Sequence, residues 1–257
     1  MKNNNRYLSK RTLALFAVAA LLFVSGGFMG VRAALNITSE NLDTHFELDH
    51  VGVQLLEGHD GTYSRVGRQN DTGGELMAYT EGTIVPGKVY DEHIAALNET
   101  GTEEVSAVDQ YLRIVVHKYW IDKNGNHDNT LDPSLIKLTY GNSPYNQSAW
   151  QKNDSESTTE TETYYYKSAL AGQEQTPDLF NRLSLDASVA GKDHMTKTES
   201  DWVNGKKTIT YNYEYNGRQV CVEAEVQALQ PHNINKAIKS VWGVQNVSVS
   251  GGTLVVK

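Results

Sequence analysis

Oxygen-bearing side chains recur at every second position in Asp122, Asn124, Asn126 and Asp128, the spacing at which a calcium loop presents its ligands. Two departures weigh against that chemistry. Gly125 stands away from the sharp-turn position, and the twelfth residue is Pro133 where a bidentate Glu would close the shell. The stretch therefore reads as a solvated hairpin turn. Two carboxylate pairs, Glu103-Glu104 and Glu223 with Glu225, have the composition of an acid and base in glycoside chemistry. Glu223 and Glu225 alternate onto the outer face of a strand, however, and Glu103-Glu104 follow a Gly-Thr turn, so both pairs read as solvated surface.

The eight histidines (His45, His50, His59, His93, His117, His127, His194 and His232) are scattered, and no two have the i, i+4 spacing that sets a zinc pair on one helix face. His-Glu-x-x-His, Gly-x-Ser-x-Gly, Cys-x-x-Cys and a phosphate-cradling glycine loop are all missing. No catalytic residue, cofactor site or metal ligand set is expected, and the chain reads as a protein that is not an enzyme. Cys221 is the single cysteine, which excludes an intrachain disulfide and the small disulfide-stapled folds.

Four basic residues (Lys2, Arg6, Lys10 and Arg11) precede an apolar run from Leu13 to Val31, followed by Arg32, Ala33 and Ala34. A basic start, an apolar stretch that enters the bilayer as a helix and small residues at positions 31 and 33 make an export signal, cut between Ala33 and Ala34. The competing reading is a membrane anchor, since about 20 apolar residues span a bilayer. Gly26, Gly27 and Gly30 weaken the helix ahead of the cut, and Arg32 would lie at the lipid boundary. Both readings place residues 34–257 outside the cytoplasmic membrane, as a secreted or cell-surface protein that meets the membrane only through an uncleaved signal. Five of the 23 basic side chains lie before residue 34 and none of the 31 acidic ones does, so the processed chain carries a net charge of −13. Such a balance disfavours nucleic acid and anionic lipid, and it leaves carboxylates free to meet cations.

Period-two alternation dominates the rest. From Tyr111 to Trp120, Leu112, Ile114, Val116 and Trp120 fall on one face, with Tyr111, Arg113, His117 and Tyr119 on the other. Asn216-Gly217 sits between Thr208–Tyr215 and Arg218–Leu229 and predicts a hairpin with a type I′ turn. Ile209, Tyr211, Tyr213 and Tyr215 share an apolar face there, and Cys221 falls on the polar side. Further strands are expected over Phe46–Leu56, Leu76–Thr83, Val105–Val108, Ile136–Tyr140, Thr163–Ser168, Leu183–Val189, Gly243–Val249 and Thr253–Val256. One helix is convincing: Asn233 caps a run with Ile234, Ala237, Ile238 and Val241 at helical spacing, and Gly243 ends it. The Ser, Thr, Asp and Glu of Gln151–Glu162 read as a solvated loop. Many short strands predict a sandwich or barrel, with residues 45–257 as one domain and 34–44 as a leading segment.

Several phrases resemble the TasA/camelysin family of exported Gram-positive surface proteins, whose leaders are cut by the signal peptidase SipW. They are Gly26-Gly27 ahead of Ala33-Ala34-Leu35, the entry Asn36-Ile37-Thr38-Ser39, Val85-Pro86-Gly87-Lys88 before the Tyr111–Val116 strand, and Tyr164-Tyr165-Tyr166 through Leu170, Thr176-Pro177, Leu179-Phe180 and Leu183-Ser184-Leu185. The resemblance implies a mainly β, jelly-roll-like antiparallel β-sandwich with one or two short peripheral helices. It also implies a biofilm-matrix or surface protein that self-associates into fibres, or joins other matrix proteins, through a donated N-terminal strand. Carried over by position, that strand is Ala34, Leu35, Asn36, Ile37, Thr38 and Ser39, with Leu35 and Ile37 entering apolar pockets. The rival expectations are a monomeric surface module for binding or adhesion, and a camelysin-like metallopeptidase. The chain supplies no residues matching the presumed metal site of camelysin, and no Leu-Pro-x-Thr-Gly sorting signal.

Overall fold

The alternation that begins at Tyr111 becomes the strand around which the molecule is built. The computed structural model describes residues 52–67, 72–76, 84–103, 105–199 and 209–257. In chain order its strands are β1 (Val53–His59), β2 (Thr62–Arg65), β3 (Gly73–Glu75), β4 (Val89–Asn98), β5 (Tyr111–Ile121), β6 (Ile136–Thr139), β7 (Trp150–Lys152), β8 (Thr161–Tyr166), β9 (Phe180–Leu185), β10 (Met195–Glu199), β11 (Ile209–Tyr213) and β12 (Gln219–Leu229). A short helix α1 (Ile234–Ala237) and the strands β13 (Val247–Ser250) and β14 (Thr253–Val256) follow. The cleavage site Ala33/Ala34 and the candidate donor residues 34–39 lie outside the described residues.

Two antiparallel five-stranded sheets form, in the orders β2-β1-β4-β9-β6 and β3-β12-β5-β8-β7. They face each other across one apolar layer, so the expected mainly β antiparallel sandwich is the fold. Leu55, Ile94, Phe180 and Leu183 from one sheet meet Leu112, Ile114, Val116, Val222 and Val226 from the other, all fully buried. Burying each such side chain stabilises the fold by about 1.5–3 kcal/mol relative to leaving it in water. The chain crosses between sheets from β2 to β3, from β3 to β4, from β4 to β5, from β5 to β6, from β6 to β7 and from β8 to β9, so each sheet is assembled from strands distant in sequence.

The opposite face of β5 is not solvated as its polar pattern predicts. Tyr111 and Arg113 are buried there under a second apolar cluster formed with Tyr165, Leu229, Ile238, Trp242, Val247 and Leu254. Arg113 tolerates this position because its charge is answered. Its Nη1 lies 3.1 Å from Glu156 Oε1, its Nε donates to Gln227 Oε1 at 2.8 Å, and its guanidinium lies 5.2 Å from the Trp242 ring.

The Asn216-Gly217 hairpin is corrected. A turn does form, with Gly217 at φ 74° and Arg218 N–H donating to the Tyr215 carbonyl at 3.1 Å. Yet β11 pairs with β10, and β12 pairs along all its length with β5 instead, from Gln219 opposite Ile121 to Leu229 opposite Tyr111. The long, buried partner offers more main-chain bonds and apolar contact than the local one. Cys221 lies on the side of β12 expected for it, beside Tyr119 and Glu223, and is buried there.

Other boundaries move for local reasons. Val105–Val108 is not a strand, because side chains satisfy its backbone: Val108 N–H donates to Thr100 Oγ1 at 3.0 Å, and Val108 O accepts from Asn98 Nδ2 at 2.8 Å. The strand expected to reach Val189 ends at Leu185, where Asp186 Oδ1 accepts from Ser188 N–H at 3.0 Å and opens a 3-10 turn. Gln151 and Lys152 belong to β7, and Asn153 behind them is buried and bonded to Asn246, so Gln151–Glu162 is not a solvated loop throughout. After α1 the backbone widens into a π turn over Ile238–Trp242, which advances the phase so that Trp242 is buried while Val241 is exposed. Asn233 begins α1 in a left-handed conformation with no side-chain cap, whereas Gly243 ends the segment at φ 74° as expected. Positions 77–83 of the expected Leu76–Thr83 strand, and the start of Phe46–Leu56, lie outside the described residues; Gly243–Val249 is strand only from Val247.

Candidate functional site

Where β12 begins, the sandwich opens into a cleft of about 980 Å³. Its lining follows from the alternation of the strands around it. Trp120 at the end of β5, Val220 at the start of β12 and Leu185 at the end of β9 contribute apolar surface from the sheets. Val189 comes from the 3-10 turn after β9, and Tyr213 and Tyr215 come from β11 and the turn beyond it. The Trp120 and Tyr215 rings lie 4.8 Å apart, and Trp120 Nε1 donates to the Asp132 carbonyl at 2.9 Å, which fixes the indole. Glu75 and Arg218 also line the cleft, the latter held 3.2 Å from Asp128 Oδ2.

The β10–β11 ribbon leaves Ile209, Tyr211 and Tyr213 exposed on one face. It is tied at its base by His194 Nδ1, 2.8 Å from Glu214 Oε2. An apolar face was expected here, but it was expected to meet β12.

One sheet edge borders the same cleft. Among the described residues, β12 is paired at eleven positions with β5 but on its other side only from Val222 to Val226, against β3 and its flanking residues Thr72 and Leu76. Gln219 and Val220, beyond that short partner, line the cleft. Main-chain groups at a sheet edge together with apolar surface are what an incoming extended peptide requires.

The oxygen-rich sequence Asp122–Asp128 is a tight turn in the structure. Asp122 Oδ1 accepts from Asn124 N–H at 2.8 Å and from Asn126 N–H at 2.9 Å, holding the Asp122 carboxyl below its usual range. Glu225 is exposed and Glu223 half-buried on the sheet face away from the core; Glu103 is exposed, and Glu104 lies outside the described residues.

A cluster that no spacing in the sequence predicts lies at the β1–β2 end of the other sheet. His93 Nδ1 is 2.7 Å from Asp178 Oδ2, His93 Nε2 is 3.1 Å from Asp91 Oδ1, and Tyr63 donates to Asp178 Oδ1 at 2.6 Å. Burial pushes the His93 imidazole down, but the hydrogen bonds and charges of Asp178 and Asp91 outweigh it and leave its pKa above the ordinary value. His59 and Asp60 adjoin Asp91 on its outer side. His117, His127, His194 and His232 stand apart, and His45 and His50 lie outside the described residues. Comparison with known proteins finds no matching family model, curated protein or solved structure.

Proposed function

We propose that this chain is a secreted, non-enzymatic structural protein of the cell surface or extracellular matrix, polymerising when the segment Ala34–Ser39 of one copy adds to the next. The observation that carries this reading is the coincidence, among the described residues, of a β12 edge without a partner strand at Gln219 and Val220 with the apolar cleft beside Trp120 and Val220. An added strand gains main-chain hydrogen bonds along the edge, and Leu35 and Ile37, two positions apart, point the same way into apolar surface. Donor and acceptor are different surfaces, so the contact is head-to-tail and propagates. Cleavage after Ala33 by a signal peptidase frees the donor strand in the same step that releases the chain, as in the TasA-like proteins that it resembles.

A glycan-binding monomer is the alternative, favoured by the exposed rings of Tyr211 and Tyr213. Electron microscopy of purified residues 34–257 beside residues 42–257 distinguishes the two. Filaments are expected from the longer chain only; the same behaviour from both would sink the strand-donation reading, and glycan binding by filament-free protein would favour the monomer.

A further inference from the structure

We propose that His59, Asp60 and Asp91 form a binding site for a divalent cation of the zinc class, with one imidazole nitrogen and two carboxylate oxygens as ligands. This inference is independent of strand donation.

The turn that positions the first two ligands is short and stiff. His59 pairs with Thr62 across Asp60-Gly61, whose φ angles of 50° and 78° are those of a type I′ hairpin turn. Asp91 comes from the neighbouring β4, which pairs with β1 as far as Gly58 opposite His93. The pairing of β4 with β9 shifts register between Asp91 and Ile94, an irregularity of the kind that re-aims side chains at a sheet end.

One ligand atom from each of the three residues lies within 4.8 Å of the other two. His59 Nε2 is 3.4 Å from Asp60 Oδ2, and His59 Nδ1 is 3.6 Å from Asp91 Oδ2. Ligands at zinc bond lengths of about 2.0–2.2 Å around a tetrahedron stand about 3.4 Å apart, the separation of His59 Nε2 and Asp60 Oδ2; Asp91, whose Oδ2 faces the other ring nitrogen, swings in to complete the set. His59 Nδ1 also lies 3.2 Å from the Asp91 carbonyl. Donation there leaves Nε2 with its lone pair on the Asp60 side.

Asp91 is held from behind. Its Oδ2 accepts from Asp60 N–H at 3.0 Å, its Oδ1 meets His93, and His93 is braced by Asp178 and Tyr63. Each carboxylate oxygen keeps a further lone pair, and such outer partners orient ligating carboxylates in metal sites. The three side chains are 37%, 86% and 42% exposed, so an ion reaches them from solvent and keeps open positions. Imidazole with carboxylates suits zinc and its transition-metal neighbours, whereas calcium requires six to eight oxygens.

The test is calorimetric titration of Zn²⁺ and, separately, Ca²⁺ into the metal-stripped full chain in mild detergent near pH 7.5. One saturable Zn²⁺ site and no Ca²⁺ site are expected. His59→Ala should weaken zinc binding by more than tenfold, and Asp178→Asn, one shell out, by about tenfold to a hundredfold. His194→Ala, in a separate imidazole–carboxylate pair, should leave it unchanged. Absence of saturable zinc binding, equal affinity in His59→Ala, or loss in His194→Ala would overturn the site. Melting curves without metal show whether each variant folds; should Asp178→Asn unfold, His59→Ala at the exposed turn decides alone.

Discussion

Glu162 shows how one side chain can hold three others in place. Lys152 Nζ is 2.9 Å from its Oε1, and its Oε2 lies 3.5 Å from Lys118 Nζ and accepts from the Tyr164 hydroxyl at 3.1 Å. Burial pushes the Glu162 carboxyl up, but the two ammonium groups outweigh burial and hold it below the usual carboxylate range. A carboxylate with a depressed folded pKa contributes its full stability above its unfolded pKa and loses it as pH falls through the folded one. Glu162→Gln should therefore cost about 3 kcal/mol at neutral pH, because it leaves the buried Lys118 without its counter-charge. Urea unfolding near pH 7 and near pH 3 measures the gap between variant and parent; a gap that fails to narrow in acid would contradict the assignment. Single residues of this kind were poorly legible in the sequence. Asp60, Asp91, His93 and Asp178 are ordinary polar residues until β1 and β4 are paired and the segment before β9 is folded against them, and no spacing rule joins positions so far apart. The Asp122–Asp128 turn was legible because the bonds that shape it, from Asn124 and Asn126 N–H to Asp122 Oδ1, are local.

Strand β3 is a three-residue element whose placement depends on a missing side chain. A Cβ on Gly73 would collide with the Ala224 carbonyl, so only glycine lets β3 lie against β12 at this register. Two bonds flank the pairing, Leu76 N–H to the Val222 carbonyl and Val226 N–H to the Thr72 carbonyl, each 2.8 Å. Gly73→Ala should detach β3 at a cost of about 1–3 kcal/mol. The Val226 amide should then exchange with solvent faster, while β5 amides keep their protection; unchanged exchange at Val226 would show that β3 tolerates the side chain. At this scale legibility followed burial. The apolar face of β5 was readable because alternation records a core, and Leu112, Ile114, Val116 and Trp120 all point into it. Its other face misled, because the layer carrying Trp242 covers Tyr111 and Arg113 from more than a hundred residues away. The same limit explains β12: a turn dipeptide specifies a local reversal, but the choice between β11 and β5 as partner is made by the whole sheet.

For the whole molecule, charge opposes the proposed assembly. Copies cut after Ala33, as proposed, would carry −13 each, so two of them approaching would repel one another. The proposed donor segment Ala34–Ser39 has no charged side chain, and the cleft proposed to receive it offers Trp120, Val220, Leu185 and Tyr213. The joint would therefore consist of main-chain hydrogen bonds and apolar burial, neither of which salt screens, while the barrier to reaching it is electrostatic. The Debye length shortens from about 30 Å at 0.01 M salt to about 10 Å at 0.1 M, shorter than the distance over which whole copies sense each other. Raising sodium chloride across that range should shorten the lag and speed filament growth of residues 34–257 several-fold, followed by light scattering, without dissolving filaments already formed. Val220→Arg should abolish growth at every salt concentration, because it places a charge in the cleft without entering the fully buried core. Filaments that dissolve as salt rises would mean that ion pairs make the joint, and unaltered growth of Val220→Arg would mean that the cleft beside β12 is not where the strand goes.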